Sequence, residues 1–111
     1  IDANNLDCLN LQALAFSFLN DFDNAILHIN KVVNLNSQDI IYLANRGIIL
    51  ARAGRYAEAL ADCEQAIQQK PDDESGYYAK ACCYALQGKV EQALENLQKA
   101  IDIAAHRSRF A

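Results

Sequence analysis

Residues 54–73 read GRYAEALADCEQAIQQKPDD, and the spacing inside this stretch decides the fold. Tyr56, Ala59, Leu60, Cys63, Ala66 and Ile67 fall at i, i+3, i+4, i+7, i+10 and i+11, which is one stripe of an amphipathic helix. Gly54 precedes that stripe and Pro71 follows it, so both ends carry residues that interrupt helices. Just upstream, Leu43, Gly47, Leu50 and Ala51 sit at i, i+4, i+7 and i+8 and predict a second helix. Gly54 tolerates the left-handed position that ends such a helix and lets the chain reverse. The unit is therefore a helical hairpin.

Moving 34 residues in either direction finds the same unit again. Asn20, Gly54 and Gly88 share one column, and Ala25, Ala59 and Ala93 share another. Leu9, Leu43 and Tyr77 align, as do Ala13, Gly47 and Ala81, then Phe16, Leu50 and Tyr84. Phe22, Tyr56 and Val90, then Ile26, Leu60 and Leu94, and finally Val32, Ala66 and Ala100 complete the set. The small columns let two helices cross closely, and the large columns fill the space around the crossing. Asp39 and the run Asp72-Asp73-Glu74 supply capping and first-turn acids for the units that follow them. The spacing predicts helices over 6–19, 22–36, 39–53, 56–70, 73–87 and 90–105.

On these residues the chain resembles the tetratricopeptide repeat family. Gly54, Ala59, Ala66 and Pro71 hold that family's small-residue, Ala and Pro positions. The usual Trp position carries Leu9, Leu43 and Tyr77, and the Pro position carries Ser37 and Ala105 in the outer units. The resemblance implies an all-α fold, a right-handed α-solenoid of three helix-turn-helix hairpins with six antiparallel helices. It divides the chain into repeats at 6–39, 40–73 and 74–107, with the tail of a preceding repeat at 1–5 and a C-terminal tail at 108–111. A chain without Met and without a polar capping helix after the third unit reads as a segment of a larger protein. Its last hairpin is expected to expose apolar surface.

Composition narrows the function. The chain has 111 residues, 52% of them hydrophobic and 22% charged, with one Pro, which suits one globular domain and long helices. A net charge of −4 lacks the basic footprint that a phosphate backbone demands, so no nucleic-acid partner is expected. No apolar run approaches the ~18 residues of a membrane span, so no membrane partner is expected either. Cys8, Cys63, Cys82 and Cys83 form no CxxC pair and read as small hydrophobes in a reducing, cytoplasmic setting. No metal or cofactor is implied. Catalysis finds no constellation: His28 and His106 lie far apart in sequence, and Cys82-Cys83 has no His nearby in sequence. Asp21-Phe22-Asp23 lacks the Gly and Glu of a calcium loop, and no Gly-rich phosphate loop occurs. The chain is not read as an enzyme.

The resemblance further implies that the first helices line a concave groove for a peptide or partner helix. Its inward positions carry Asp7, Asn10, Leu14 and Ser17, then Ile41, Ala44, Ile48 and Ala51, then Ser75, Tyr78, Cys82 and Ala85, with Asn45, Arg52, Ala79 and Leu86 beside them. The candidate partner-binding residues are Asn10, Leu14, Ile41, Asn45, Ile48, Arg52, Tyr78 and Cys82. One subfamily grips the acidic C-terminus of heat-shock chaperones with a clamp of Lys, Asn and Arg. Only Asn45 matches that clamp here, the other places holding Asn10, Leu14, Ser75 and Ala79, so its three cations are missing. Arg46 is expected on the hairpin flank, paired with a neighbouring acid. The resulting expectation is a non-enzymatic protein-interaction scaffold whose groove takes a partner peptide or helix. The alternatives are a spacer or homo-oligomerisation segment using uncapped ends, and a recruiting or sensor arm of a larger multidomain enzyme.

Overall fold

Asn20, Gly54 and Gly88 adopt φ of 62°, 82° and 77°, so the aligned turn column is the left-handed column. Each of these residues reverses the chain between two helices. The computed structural model describes residues 5–36 and 38–110. Within them run α1 (Leu6–Phe18), α2 (Phe22–Leu35), α3 (Ile40–Arg52), α4 (Tyr56–Gln69), α5 (Ser75–Leu86) and α6 (Val90–Phe110). The observed bounds fall within two residues of the predicted ones, except at the end of α6.

Local chemistry explains the starts. The Asn5 side chain accepts the Cys8 N–H at 3.1 Å, Asp21 accepts the Asn24 N–H at 3.3 Å, and Asp39 accepts the Ile41 N–H at 3.0 Å. Ahead of α5, Asp73 accepts the Ser75 N–H at 2.8 Å, the role expected of the acidic run after Pro71. Asp21, the first residue of the Asp-Phe-Asp triplet, is thus a helix cap.

The helices form three hairpins, and each later first helix packs onto both helices of the hairpin before it. Helix α3 lies against α1 and α2, and α5 lies against α3 and α4. Ala13, Ala25 and Ala59 are fully buried at the crossings, with Ala81 close behind. Gly47 holds a close crossing of α3 and α4, where a Cβ would stand 3.0 Å from Cys63 Sγ and 3.3 Å from the Ala59 carbonyl oxygen. Around these small residues Leu9, Ile29, Val32, Leu43, Ile49 and Leu50 fill the core.

One boundary corrects the sequence expectation. Helix α6 continues to Phe110, past the expected helix end at 105 and through 108–110 of the expected 108–111 tail. The position at which Pro71 follows α4 holds Ala105 in the third unit, so nothing stops the helix there. Arg107 and Arg109 complement the negative end of its dipole, and Arg107 pairs with Glu74 at the start of α5. The expected open apolar surface is present: Val90, Leu94 and Ile101 of α6 are all exposed. Of the expected 1–5 tail, only Asn5 falls within the described residues.

Candidate functional site

Between α3 and α5 the first helices leave a recess of about 190 Å³ lined by Ile41, Ala44, Asn45, Ile48, Glu74, Ser75 and Tyr78. Helical spacing puts Ile41, Ala44, Asn45 and Ile48 on one face of α3, and the packing of α5 on α3 sets Ser75 and Tyr78 opposite them. Ile48 packs against Ala44, Cys63 and Ala79 beneath, while Ile41 stays exposed at the rim. Four of the eight residues singled out from the sequence, Ile41, Asn45, Ile48 and Tyr78, therefore meet in one place.

Asn10 joins them through a hydrogen bond. Asn45 Nδ2 donates to Asn10 Oδ1 at 3.1 Å across α1 and α3. That bond uses one of the acceptors and one of the donors of the amide pair, and leaves an Asn10 Nδ2 donor and the Asn45 Oδ1 acceptor for other groups. Two further contacts repeat the same 35-residue offset: Tyr42 Oη donates to Asp7 Oδ1 at 3.4 Å, and Arg52 Nε donates to Ser17 Oγ at 2.9 Å.

The remaining candidates are placed elsewhere. Arg52 also donates to the Ser17 carbonyl oxygen at 3.2 Å and stacks 5.4 Å from the Phe18 ring centroid, so its guanidinium serves the C-terminal end of α1. Leu14 is half-buried against the core of the first hairpin. Cys82 lines a separate apolar recess of about 330 Å³ with Tyr78, Ala81, Ala85, Val90, Ala93, Leu94 and Leu97. Tyr78 thus forms the ridge between two recesses. Its hydroxyl is raised above the ordinary phenol value by the neighbouring Cys82 sulfur, with which it shares a hydrogen bond.

Glu74 at the rim and the network around Arg46 were not singled out as parts of the site. The expected ion pair of Arg46 is present. Its Nε and terminal nitrogen donate to Asp62 at 2.7 and 2.8 Å, and another nitrogen reaches Asn30 Oδ1 at 3.3 Å, tying α3 to both α4 and α2. Glu74 is engaged by Arg107, which holds its carboxyl below the usual carboxylate range. A signal for that pair exists only if α6 is known to reach residue 107.

Among the described residues, the histidines and cysteines are engaged in packing and local hydrogen bonds. His28 Nδ1 lies 2.8 Å from the Asn24 carbonyl oxygen and its ring tilts against Phe16, centroids 5.0 Å apart. Burial pushes the Cys63 thiol up to about 12 and also raises Cys82 and Cys83, which disfavours thiolates at neutral pH. Among the described residues no group of three His, Cys, Asp or Glu side chains could hold a metal ion, and no helix is long and apolar enough to cross a membrane.

Stacked hairpins with a lined inner face define a helical-repeat protein. Tetratricopeptide repeat profiles match residues 6–39, 40–73 and 63–95. The chain belongs to the tetratricopeptide repeat family, a family of protein-interaction scaffolds. It is 31% identical over 84 residues to the Hsp70-Hsp90 organizing protein of Triticum aestivum, covering 76% of this chain and 14% of that protein. It is 30% identical over 98 residues to serine/threonine-protein phosphatase 5 of Homo sapiens, covering 88% of this chain and 20% of that protein. The chain therefore spans a fifth or less of the length of these two relatives. Among solved structures, the TPR2B-domain:pHsp70 complex of yeast Sti1 superposes with a TM-score of 0.75 at 25% identity, covering 94% of this chain and 83% of that one. The Sgt2 TPR domain of Aspergillus fumigatus gives 0.76 at 20% identity, over 90% of this chain and 66% of that one, and so shares the fold.

Proposed function

We propose that the chain is a non-enzymatic binding module whose recess between α3 and α5 receives an apolar segment of a partner protein. The observation that carries this reading is the recess itself, with Ile41 and Ile48 on one wall and Tyr78 on the other. Aliphatic floors and a half-exposed Tyr contribute most of their area when a partner arrives, at low cost in side-chain entropy. The Asn10–Asn45 pair adds a donor and an acceptor suited to the main chain of a ligand.

The yeast Sti1 domain is a complex with pHsp70, and a protein or peptide partner for this chain agrees with that relationship. The charge does not favour an acidic chaperone tail as the ligand here. Arg52 is turned to Ser17, and Glu74 at the rim contributes an acid that Arg107 already neutralises. A strongly anionic peptide end would lose its water without gaining cations. A pull-down from cell extract compares the chain with its Ile48→Lys and Tyr78→Lys variants, with circular dichroism as the folding control. Partner capture should be lost in both variants while helicity is kept; capture retained by both overturns the proposal.

A further inference from the structure

Ile41 lines the recess between α3 and α5, and its main-chain N–H donates at 3.0 Å to the Asp39 carboxylate that caps α3. One residue further on, Tyr42 Oη donates to Asp7 Oδ1 of α1 at 3.4 Å. Burial, and then the charges of Asp7 and Asp39, raise the Tyr42 phenol above its ordinary value, so both carboxylates face that hydroxyl. The recess therefore adjoins two acids on its α1 side, Asp7 exposed and Asp39 half-buried.

Among the described residues neither acid has a cationic partner. Helix α1 carries no Lys or Arg, and the cations of α3 and α5 are engaged elsewhere. Arg46 is bound to Asp62, Lys80 to Glu64 and Arg52 to Ser17. On the opposite rim Glu74 is already answered by Arg107. The uncompensated charge beside the apolar recess is thus of one sign, and two carboxylates about one hydroxyl favour a cation between them. The net charge of −4 acts in the same direction at longer range.

We propose that the protein segment taken by the recess is basic as well as aliphatic, with an Arg or Lys side chain set between Asp7 and Asp39 while its aliphatic neighbour enters between Ile41, Ile48 and Tyr78. This inference rests on the recess being the binding site and adds the chemistry of what binds there. Arg suits the place better than Lys, because its planar fork of five N–H donors serves two carboxylates at once and an ammonium acts as a point charge. One helical turn beyond the acids, the free Asn10 Nδ2 donor and Asn45 Oδ1 acceptor meet the main chain of the same segment. The aliphatic contact supplies buried area, and the cation fixes which segment is accepted and in which direction it lies.

Random peptides displayed on phage, selected on the chain and counter-selected on its Ile48→Lys variant, test the proposal. The selected sequences should be enriched, against the unselected library, in Arg or Lys within about three residues of an aliphatic residue, the reach of an extended chain across one helix. The leading peptide is then synthesised with blocked ends and titrated by fluorescence anisotropy. Replacing its basic residue by Gln should weaken binding by about tenfold or more, as the loss of a hydrogen bond to a charged group does. The double variant Asp7→Asn, Asp39→Asn keeps a capping side chain on α3 and an acceptor for Tyr42, and circular dichroism checks its helix content. It should bind the basic peptide as weakly as the unaltered chain binds the Gln peptide, and should no longer distinguish the two peptides. Peptides that need Ile48 but show no basic preference, or bind the double variant undiminished, overturn this inference and leave the recess as the binding site. A selection that yields no peptide sensitive to Ile48→Lys overturns both.

Discussion

Arg46 reaches Asp62 through two charge-assisted bonds and Asn30 through a third, and its partner Asp62 is almost wholly buried. Side chains of this kind were legible in the sequence only as a charge flanking the hairpin; which acid answers it depends on how α3 and α4 cross at Gly47. The bond to Asp62 raises the guanidinium above its ordinary value, so Arg46 stays charged. Asp62→Ala should destabilise the chain by about 2 kcal/mol, the scale of lost hydrogen bonds to a charged group. The guanidinium keeps partial access to water, which holds the cost below the ~3–5 kcal/mol of breaking a fully dry pair. A urea midpoint at unchanged slope measures it, and Asp62→Asn should lose less. The four cysteines follow a simpler rule: Cys63 and Cys83 are buried, Cys8 and Cys82 half-buried, and none is paired, as small hydrophobes would be.

At the scale of elements, the helices begin and end where short-range chemistry says they must. Gly54 and Gly88 turn the chain at positive φ, and a Cβ at either would meet nothing within 4 Å. Gly54→Ala or Gly88→Ala should therefore cost about 1–2 kcal/mol through backbone strain alone, seen as a lower thermal midpoint without loss of helix content at room temperature. The extension of α6 is the element the sequence pattern did not foretell. It depends on a pair 33 residues apart, Glu74 and Arg107. Because the bonds from Arg107 hold the folded Glu74 carboxyl below its unfolded value of about 4.3, their stabilisation is present above that value and lost as pH falls through the lower folded one. Acid titration of the far-ultraviolet helix signal should show the last turns of α6 fraying below about pH 4. Arg107→Ala should lower the signal at neutral pH and flatten that acid step.

The whole molecule measures 38 × 34 × 20 Å, with α3 in the middle of the stack. In a nearest-neighbour array the central element has partners on both sides and the outer ones do not. Native-state hydrogen exchange should therefore find its slowest amides in α3, around the fully buried Ile49, and its fastest among the helices in α1 and the end of α6. Uniform protection across all six helices would contradict this. The 34-residue period, the left-handed turn column and the alternation of small and large residues determine the hairpins, because each acts within one or two helical turns or at one crossing. The inner-face register likewise brought Ile41, Asn45, Ile48 and Tyr78 together in advance, since helical spacing puts chosen positions on one side. Only the tertiary structure decided which of the polar candidates remain available in the recess. Arg52 occupies a groove position by its register, yet the end of α1 offers a carbonyl oxygen, a hydroxyl and an aromatic face within reach, and the guanidinium takes them. Cys82 lies one turn from Tyr78 and still opens onto the other recess. The sequence by itself determined the repeating fold, whose causes are local; the packing of helices within and between hairpins decided where the long and polar side chains went, because their partners lie 16 to 35 residues away.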